Sequence, residues 1–348
     1  MSYAPEGSSP GGRRLSLPPG HRRLHGPPVT ILKLGWLTRG ALRLSALLLI
    51  VVLVVLLFAP AACAFFIAYP IGQPNPPSGS RLPVPPYEDV SFPSAIDGAH
   101  LSGWYLPSPT PQGRTVIISH GFRNDRLVHG RGLPLAQVLR ERGFDVLLFD
   151  LRGQGKSGGG PVTLGAREQW DVAGAIRYAR ARGAQHIGLM GFSIGATASL
   201  LVAAGDPGVD AVVADSALTD LHEYLEAQVM ARSHLGRAYA EYALLWYRWA
   251  TRSDERTVRP VEAIGRLASR PVLLIHATGD RVIPAAESEK LLATAAAAVS
   301  TTSSGTTAAG GPVVQLWLVS GTHHTHSYEV NPEAYAAKVA GFLDDNVR

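Results

Sequence analysis

The chain has 348 residues, 46% of them hydrophobic, with 32 Lys and Arg, 27 Asp and Glu, and one cysteine. A single cysteine excludes an internal disulfide framework. Seven basic residues and one acidic residue precede Leu44; without them the counts fall to 25 and 26, so the net charge of +5 belongs to the tail and a nucleic-acid-binding surface is excluded.

Residues 1–40 have the Gly, Pro, Ser and Arg bias of a disordered basic tail. From Leu44 to Tyr69 no residue is charged. As a helix this run extends about 39 Å, enough to cross a hydrocarbon layer of roughly 30 Å. Residues 41–69 are therefore expected to form a transmembrane signal anchor, kinked or ended at Pro60. A cleaved signal peptide is the competing reading. Its apolar region spans only about 7–15 residues, although Ala62-Cys63-Ala64 is a cuttable sequence. Cys63 is a poor lipid acceptor, because Pro60 stands where an aliphatic residue is expected. Arg13, Arg14, Arg22, Arg23, Lys33, Arg39 and Arg43 oppose only Glu6. The positive-inside rule then puts the tail in the cytoplasm and the rest of the chain on the extracytoplasmic side. The prolines of residues 70–86 predict a semi-rigid linker that holds the following domain off the membrane.

Residues 87–348 are long enough for one core. Glu88 to Phe92 and His100 to Leu106 read as an antiparallel pair. Thr115-Val116-Ile117-Ile118-Ser119 is a β-branched, uncharged run that suits a buried parallel strand, and it ends in His120-Gly121-Phe122. After the strand Asp145 to Asp150 comes Leu151-Arg152-Gly153-Gln154-Gly155-Lys156-Ser157. Its spacing fits neither a Walker loop nor a dinucleotide fingerprint. Asp150 and Arg152 are expected to form a buried pair that orders this loop. Helices are expected over Leu133 to Arg142, Ala166 to Arg182 and Ile194 to Ala204. The alternation implies a mostly parallel sheet with helices on both faces.

Ile187 to Met190 is followed by Gly191-Phe192-Ser193-Ile194-Gly195. This is a G-x-S-x-G turn, in which a serine stands on a tight strand-to-helix bend. The flanking glycines let strand and helix approach, and the bend aims the Ile194 N–H at a carbonyl under attack. Residues 219–257 interrupt the rhythm with Trp246, Tyr247 and Trp249 among helix formers, and suit a small helical cap or a packed surface excursion. Pro271 to His276 is another strand. It ends at Ala277-Thr278-Gly279-Asp280, a carboxylate placed to orient a histidine; Asp215, after Val212-Val213-Ala214, is the rival acid. Ala293 to Gly311 reads as a helix passing into a flexible insertion. The last strand, Pro312 to Val319, leads to His323, His324 and His326. Histidine is the residue type that takes a serine proton and hands it on, and all three are candidates. A metal site on them is the alternative, unsupported by metal-ligand spacing elsewhere.

From about Tyr87 to Arg348 the chain resembles the serine α/β-hydrolase superfamily. Within it, the chain is most similar to the membrane-anchored hydrolases related to the prolyl-oligopeptidase and serine-aminopeptidase-like families. His120-Gly121-Phe122, Asp150 to Ser157, Gly191 to Gly195, Thr278-Gly279-Asp280 and Gly321 to Phe342 carry the likeness. The resemblance implies an α/β-hydrolase fold with a Ser193, Asp280 and histidine triad. It gives the second oxyanion donor to the Phe122 N–H beside that of Ile194. It also favours His324, since such a histidine commonly precedes a tyrosine by four residues, and Tyr328, Pro332, Tyr335 and Phe342 follow here. The activity expected is hydrolysis of a small-molecule carboxylic ester or thioester, lipid or lysolipid esters included, without metal or organic cofactor. A prolyl-oligopeptidase-like peptidase and a non-catalytic membrane-tethered binding domain are the two alternatives.

Overall fold

The computed structural model describes residues 31–71, 87–267, 270–300 and 313–348. Most of the expected disordered tail, linker and Ala/Ser/Thr/Gly-biased insertion lie outside the described residues. The chain divides into two units at Val55 and Leu56. One helix, α1 (Ile31–Ala68), contributes to both and contains Pro60. In the first unit its Leu47, Leu48, Ile50, Leu53 and Val54 are exposed. From Arg39 to Ala68 this helix is long and apolar enough to cross a membrane.

The second unit is built on eight strands: β1 (Glu88–Pro93), β2 (His100–Leu106), β3 (Arg114–Ser119), β4 (Phe144–Phe149), β5 (His186–Phe192), β6 (Ala211–Asp215), β7 (Val272–Ala277) and β8 (Val314–Val319). They form one sheet in the order β1-β2-β4-β3-β5-β6-β7-β8. The β1–β2 and β2–β4 pairs are antiparallel and all the others parallel. The helices that follow α1 are α2 (Gly132–Glu141), α3 (Glu168–Ala181), α4 (Ile194–Gly205), α5 (Leu221–Ser233), α6 (Arg237–Thr251), α7 (Pro260–Arg266), α8 (Ala286–Ser300), α9 (Ser327–Val330) and α10 (Pro332–Asn346).

Residues alternate between sheet faces along β3. Ile117 joins the core beneath α3 and α4, with Val172, Ile176 and Leu200. Val116 and Ile118 join the core beneath α2 and α10, with Leu135, Leu139, Val339 and Leu343. Burial on both faces explains why these strands are continuous apolar runs rather than alternating ones. The helical insertion expected between β6 and β7 is α5, α6 and a short 3-10 turn, Glu255–Thr257. Because β3 to β8 run parallel, the segments after each of them emerge at one edge of the sheet, the edge where such folds hold ligands.

One expectation fails. Asp150 and Arg152 do not pair with each other. Asp150 takes Arg126, Nη2 to Oδ2 at 2.6 Å, and Arg152 takes Asp171 at 2.6 Å and Asp97 at 2.7 Å. Two residues apart, the side chains leave the loop in different directions, one toward the segment after β3 and the other toward α3. Within the second unit, the end of α1 packs into the domain core. Ala64 and Ala68 are core residues, and the Ala68 carbonyl accepts the Val162 N–H at 2.8 Å. Small side chains at this four-residue spacing present one flat face to the neighbouring core.

Candidate active site

The turn between β5 and α4 sets the geometry. Ser193 has φ 52° and ψ −115°, a strained combination for a residue with a β-carbon. The neighbouring glycines are required by contact. A β-carbon on Gly191 would lie 2.4 Å from the Ala196 nitrogen, and one on Gly195 would lie 2.4 Å from the Ser119 oxygen. The Ser193 N–H donates to the Asp215 carbonyl at 2.8 Å, which pins the bend to β6.

Three side chains from distant segments meet at this bend. His324 Nε2 accepts the Ser193 hydroxyl at 2.9 Å, and His324 Nδ1 donates to Asp280 Oδ2 at 2.6 Å. Asp280 Oδ1 accepts the N–H groups of Val282 and Ile283 at 2.8 and 2.9 Å. A second imidazole, His276, brings its Nε2 to 3.2 Å from the same Oδ2. Burial pushes the Asp280 carboxyl up. The bonds from His276, His324 and Ile283 outweigh it and hold the group below the usual carboxylate range. An ionised Asp280 fixes the His324 tautomer, leaving Nε2 free to take a proton from Ser193.

Next to the serine lies the segment after β3. A β-carbon built on Gly121 would sit 3.4 Å from Ser193 Cβ, so the loop that carries Phe122 packs on the bend. Among the described residues, the main-chain N–H groups of Phe122 and Ile194 make no hydrogen bond. His120 fixes this loop. Its Nδ1 donates to the Gly121 carbonyl at 2.7 Å and its Nε2 accepts the Leu151 N–H at 2.9 Å. Complete burial drives its pKa down, so it is a neutral strut. Farther along, the Arg126 N–H donates to Asp150 Oδ1 at 2.7 Å. A serine at a strained bend, with an imidazole on its hydroxyl and a carboxylate behind that imidazole, is an arrangement with the chemistry for acyl transfer.

The comparisons with known proteins agree with that architecture. Residues 97–294 match the model of the X-Pro dipeptidyl-peptidase (S15) family. The chain belongs to this family of serine α/β-hydrolases. It is 34% identical to YfhR of Escherichia coli over 214 residues, 59% of this chain and 66% of that relative, so it matches slightly under two thirds of its length. It is 30% identical to YfhR of Salmonella typhi over 72% of this chain and 81% of the relative. A solved esterase of Pyrococcus furiosus, Pf2001, superposes with a TM-score of 0.59 at 22% identity, covering 80% of this chain and 98% of the esterase, which shows the shared fold.

In this S15-family chain the rival acid Asp215 and His326 are engaged elsewhere, and His323 is exposed. Asp215 is fully buried and accepts the Tyr335 and Ser216 hydroxyls at 2.7 and 2.8 Å. Burial raises its pKa against those two bonds. His326 Nδ1 donates to the His324 carbonyl at 2.6 Å, and the His326 N–H donates to the His323 carbonyl at 3.0 Å. His324 has both ring nitrogens committed within the Asp280–Ser193 line, which leaves it no position for a metal. Among the described residues, His222, Glu226 and Glu241 come close enough to share an ion. Arg237 holds Glu226 and Arg256 holds Glu241. Sequence reading missed His276 and the neutral role of His120. Each stands at the C-terminal end of a buried strand or just past it, where a polar residue must find a partner.

Proposed function

We propose that this protein is a membrane-anchored serine hydrolase of carboxylic esters or thioesters. Ser193 Oγ attacks the acyl carbon while His324 Nε2 takes its proton. His324 then gives that proton to the leaving alcohol or thiol. Asp280 stabilises the imidazolium, and the N–H groups of Phe122 and Ile194 hold the oxyanion. Water, activated by the same imidazole, releases the acid from the acyl-enzyme. Loss of one oxyanion donor typically costs about 10²–10³ in rate. The observation that carries the reading is the hydrogen-bonded line from Asp280 through His324 to Ser193.

The apolar α1 serves as the anchor, with the basic N-terminal tail on the cytoplasmic side and the hydrolase outside. Esters with acyl chains, lipid or lysolipid, suit such an enzyme. A fluorophosphonate probe tests the nucleophile. Labelling is expected in the parent and absent in Ser193→Ala; equal labelling of both overturns the assignment. Peptide cleavage is the second reading, favoured by the X-Pro dipeptidyl-peptidase description of the matching family. Turnover of aminoacyl-anilides in preference to p-nitrophenyl esters would select it.

A further inference from the structure

Pro60 in α1 has no N–H to give the carbonyl four residues earlier, that of Leu56, and its ring crowds that turn. The gap is filled from α6. The Tyr239 hydroxyl donates to the Leu56 carbonyl at 3.0 Å, and the Tyr242 hydroxyl donates to the Leu57 carbonyl at 2.5 Å. A freed carbonyl in water needs no such help. One surrounded by lipid does, because an unsatisfied group there costs several kcal/mol.

These tyrosines begin a file of rings along α6. Tyr239 to Tyr242 is 6.0 Å between centroids, Tyr242 to Trp246 is 6.5 Å and Trp246 to Trp249 is 5.8 Å. Their spacing puts all four on one side of the helix. The other side, with Ala240, Leu244, Tyr247 and Ala250, is buried in the domain. On the outer side Trp249 is 70% exposed and Leu245 57%. Charges bordering the file are neutralised: Arg237 pairs with Glu226, Arg248 with Glu255 and Arg256 with Glu241.

We propose that this outer side of α6 is a bilayer-docking surface, with Tyr239, Tyr242, Leu245, Trp246 and Trp249 set into the membrane that α1 crosses. The inference rests on reading α1 as a membrane span. About 20 residues cross the hydrocarbon. Counted from Leu44, Leu56 and Leu57 therefore fall in the leaflet nearer the hydrolase. Hydroxyls bonded to their carbonyls bring α6 down to that leaflet. Tryptophan favours the headgroup boundary, and the two tyrosines reach below it, their hydroxyls satisfied by the Leu56 and Leu57 carbonyls instead of by water.

The test uses the full chain carrying Trp36→Phe, since Trp36 precedes the apolar run, in phosphatidylcholine vesicles with or without brominated acyl chains. Brominated lipid is expected to quench part of the tryptophan emission, and Trp249→Phe is expected to lower the quenchable part, leaving that of Trp246, with its unfolding midpoint unchanged. Emission from Trp249 that ignores brominated lipid yet yields to aqueous acrylamide overturns the docking surface. Emission that yields to neither, with cross-links between copies, gives the face to a second copy and overturns it too. Release of the chain by alkaline carbonate overturns the span and the docking surface together. Retention with an unquenched Trp249 overturns the docking surface alone.

Discussion

A β-carbon placed on Gly279 would fall 2.5 Å from the carbonyl oxygen of Thr322. The loop that carries Asp280 and the loop that carries His324 therefore touch through main chain, with no room for a side chain. This contact lets Asp280 Oδ2 reach His324 Nδ1 at 2.6 Å. Gly279→Ala must push the two loops apart. An atomic misplacement of this order costs on the order of 10²-fold in rate. Ester turnover is expected to fall by about that factor, with fluorophosphonate labelling at Ser193 expected to remain detectable. Unchanged kcat in Gly279→Ala would show that the loops tolerate separation.

Asp280 is served by two imidazoles with different consequences. His324 lies between the carboxylate and Ser193; His276 lies behind it. His276 Nε2 is 2.8 Å from the Ile283 carbonyl and its Nδ1 is 2.7 Å from Ser288 Oγ. Asp280→Asn presents the wrong partner to His324 Nδ1–H and is expected to lower kcat by about 10⁴. His276→Ala leaves buried polar groups unpaired, at about 1–3 kcal/mol. Its signature should be a lower unfolding midpoint with a much smaller loss of kcat than Asp280→Asn. Equal kcat losses in both variants would place His276 inside the proton relay instead of behind it.

What was readable in the sequence, and what was not, divides by range. The bend at Ser193 is announced by glycines whose need is local: strand and helix collide without them. Strand ends are announced by uncharged β-branched runs. The pairing of loops is decided by closure of the whole sheet edge. Asp150 meets Arg126 rather than Arg152 because the segment after β3 folds back over the end of β4. Two acids stood at suitable strand ends. Only the structure turns Asp215 inward to Tyr335, across 120 residues of sequence. The histidine choice rested on a family likeness, a tyrosine four residues on from His324; the residues read without it left His323, His324 and His326 open. The contact of α6 with the carbonyls before Pro60 joins segments more than 180 residues apart, beyond any periodicity.

Tyr335 gives its hydroxyl to Asp215 in a site where both side chains are fully buried. Burial already raises the Asp215 pKa. Tyr335→Phe removes one of the two hydroxyl donors and leaves a carboxyl oxygen unpaired, which should raise that pKa further and cost about 1–3 kcal/mol. Because Ser193 N–H is held by the Asp215 main chain, not by its side chain, fluorophosphonate labelling should survive while the unfolding midpoint drops. Loss of labelling at full stability would mean that the Asp215 side chain acts on the nucleophile.

His120 makes the pH dependence specific. Its folded pKa lies below the ordinary value of 6.5, because burial disfavours the charged ring. The unfolded chain therefore binds this proton more readily than the folded one. Stability from His120 is complete above about pH 6.5 and is lost as pH falls from there toward the folded pKa, by at most about 1.4 kcal/mol per pH unit. His120→Gln cannot take up that proton. At pH 7.5 the variant should be the less stable protein, since the ring's two bonds to Gly121 and Leu151 are lost or weakened. Toward pH 5 the parent should lose stability faster than the variant, and the gap between their denaturation midpoints should narrow. Parallel midpoints across that range would mean that His120 is protonated equally in both states, and the neutral strut under the Phe122 loop would have to be abandoned.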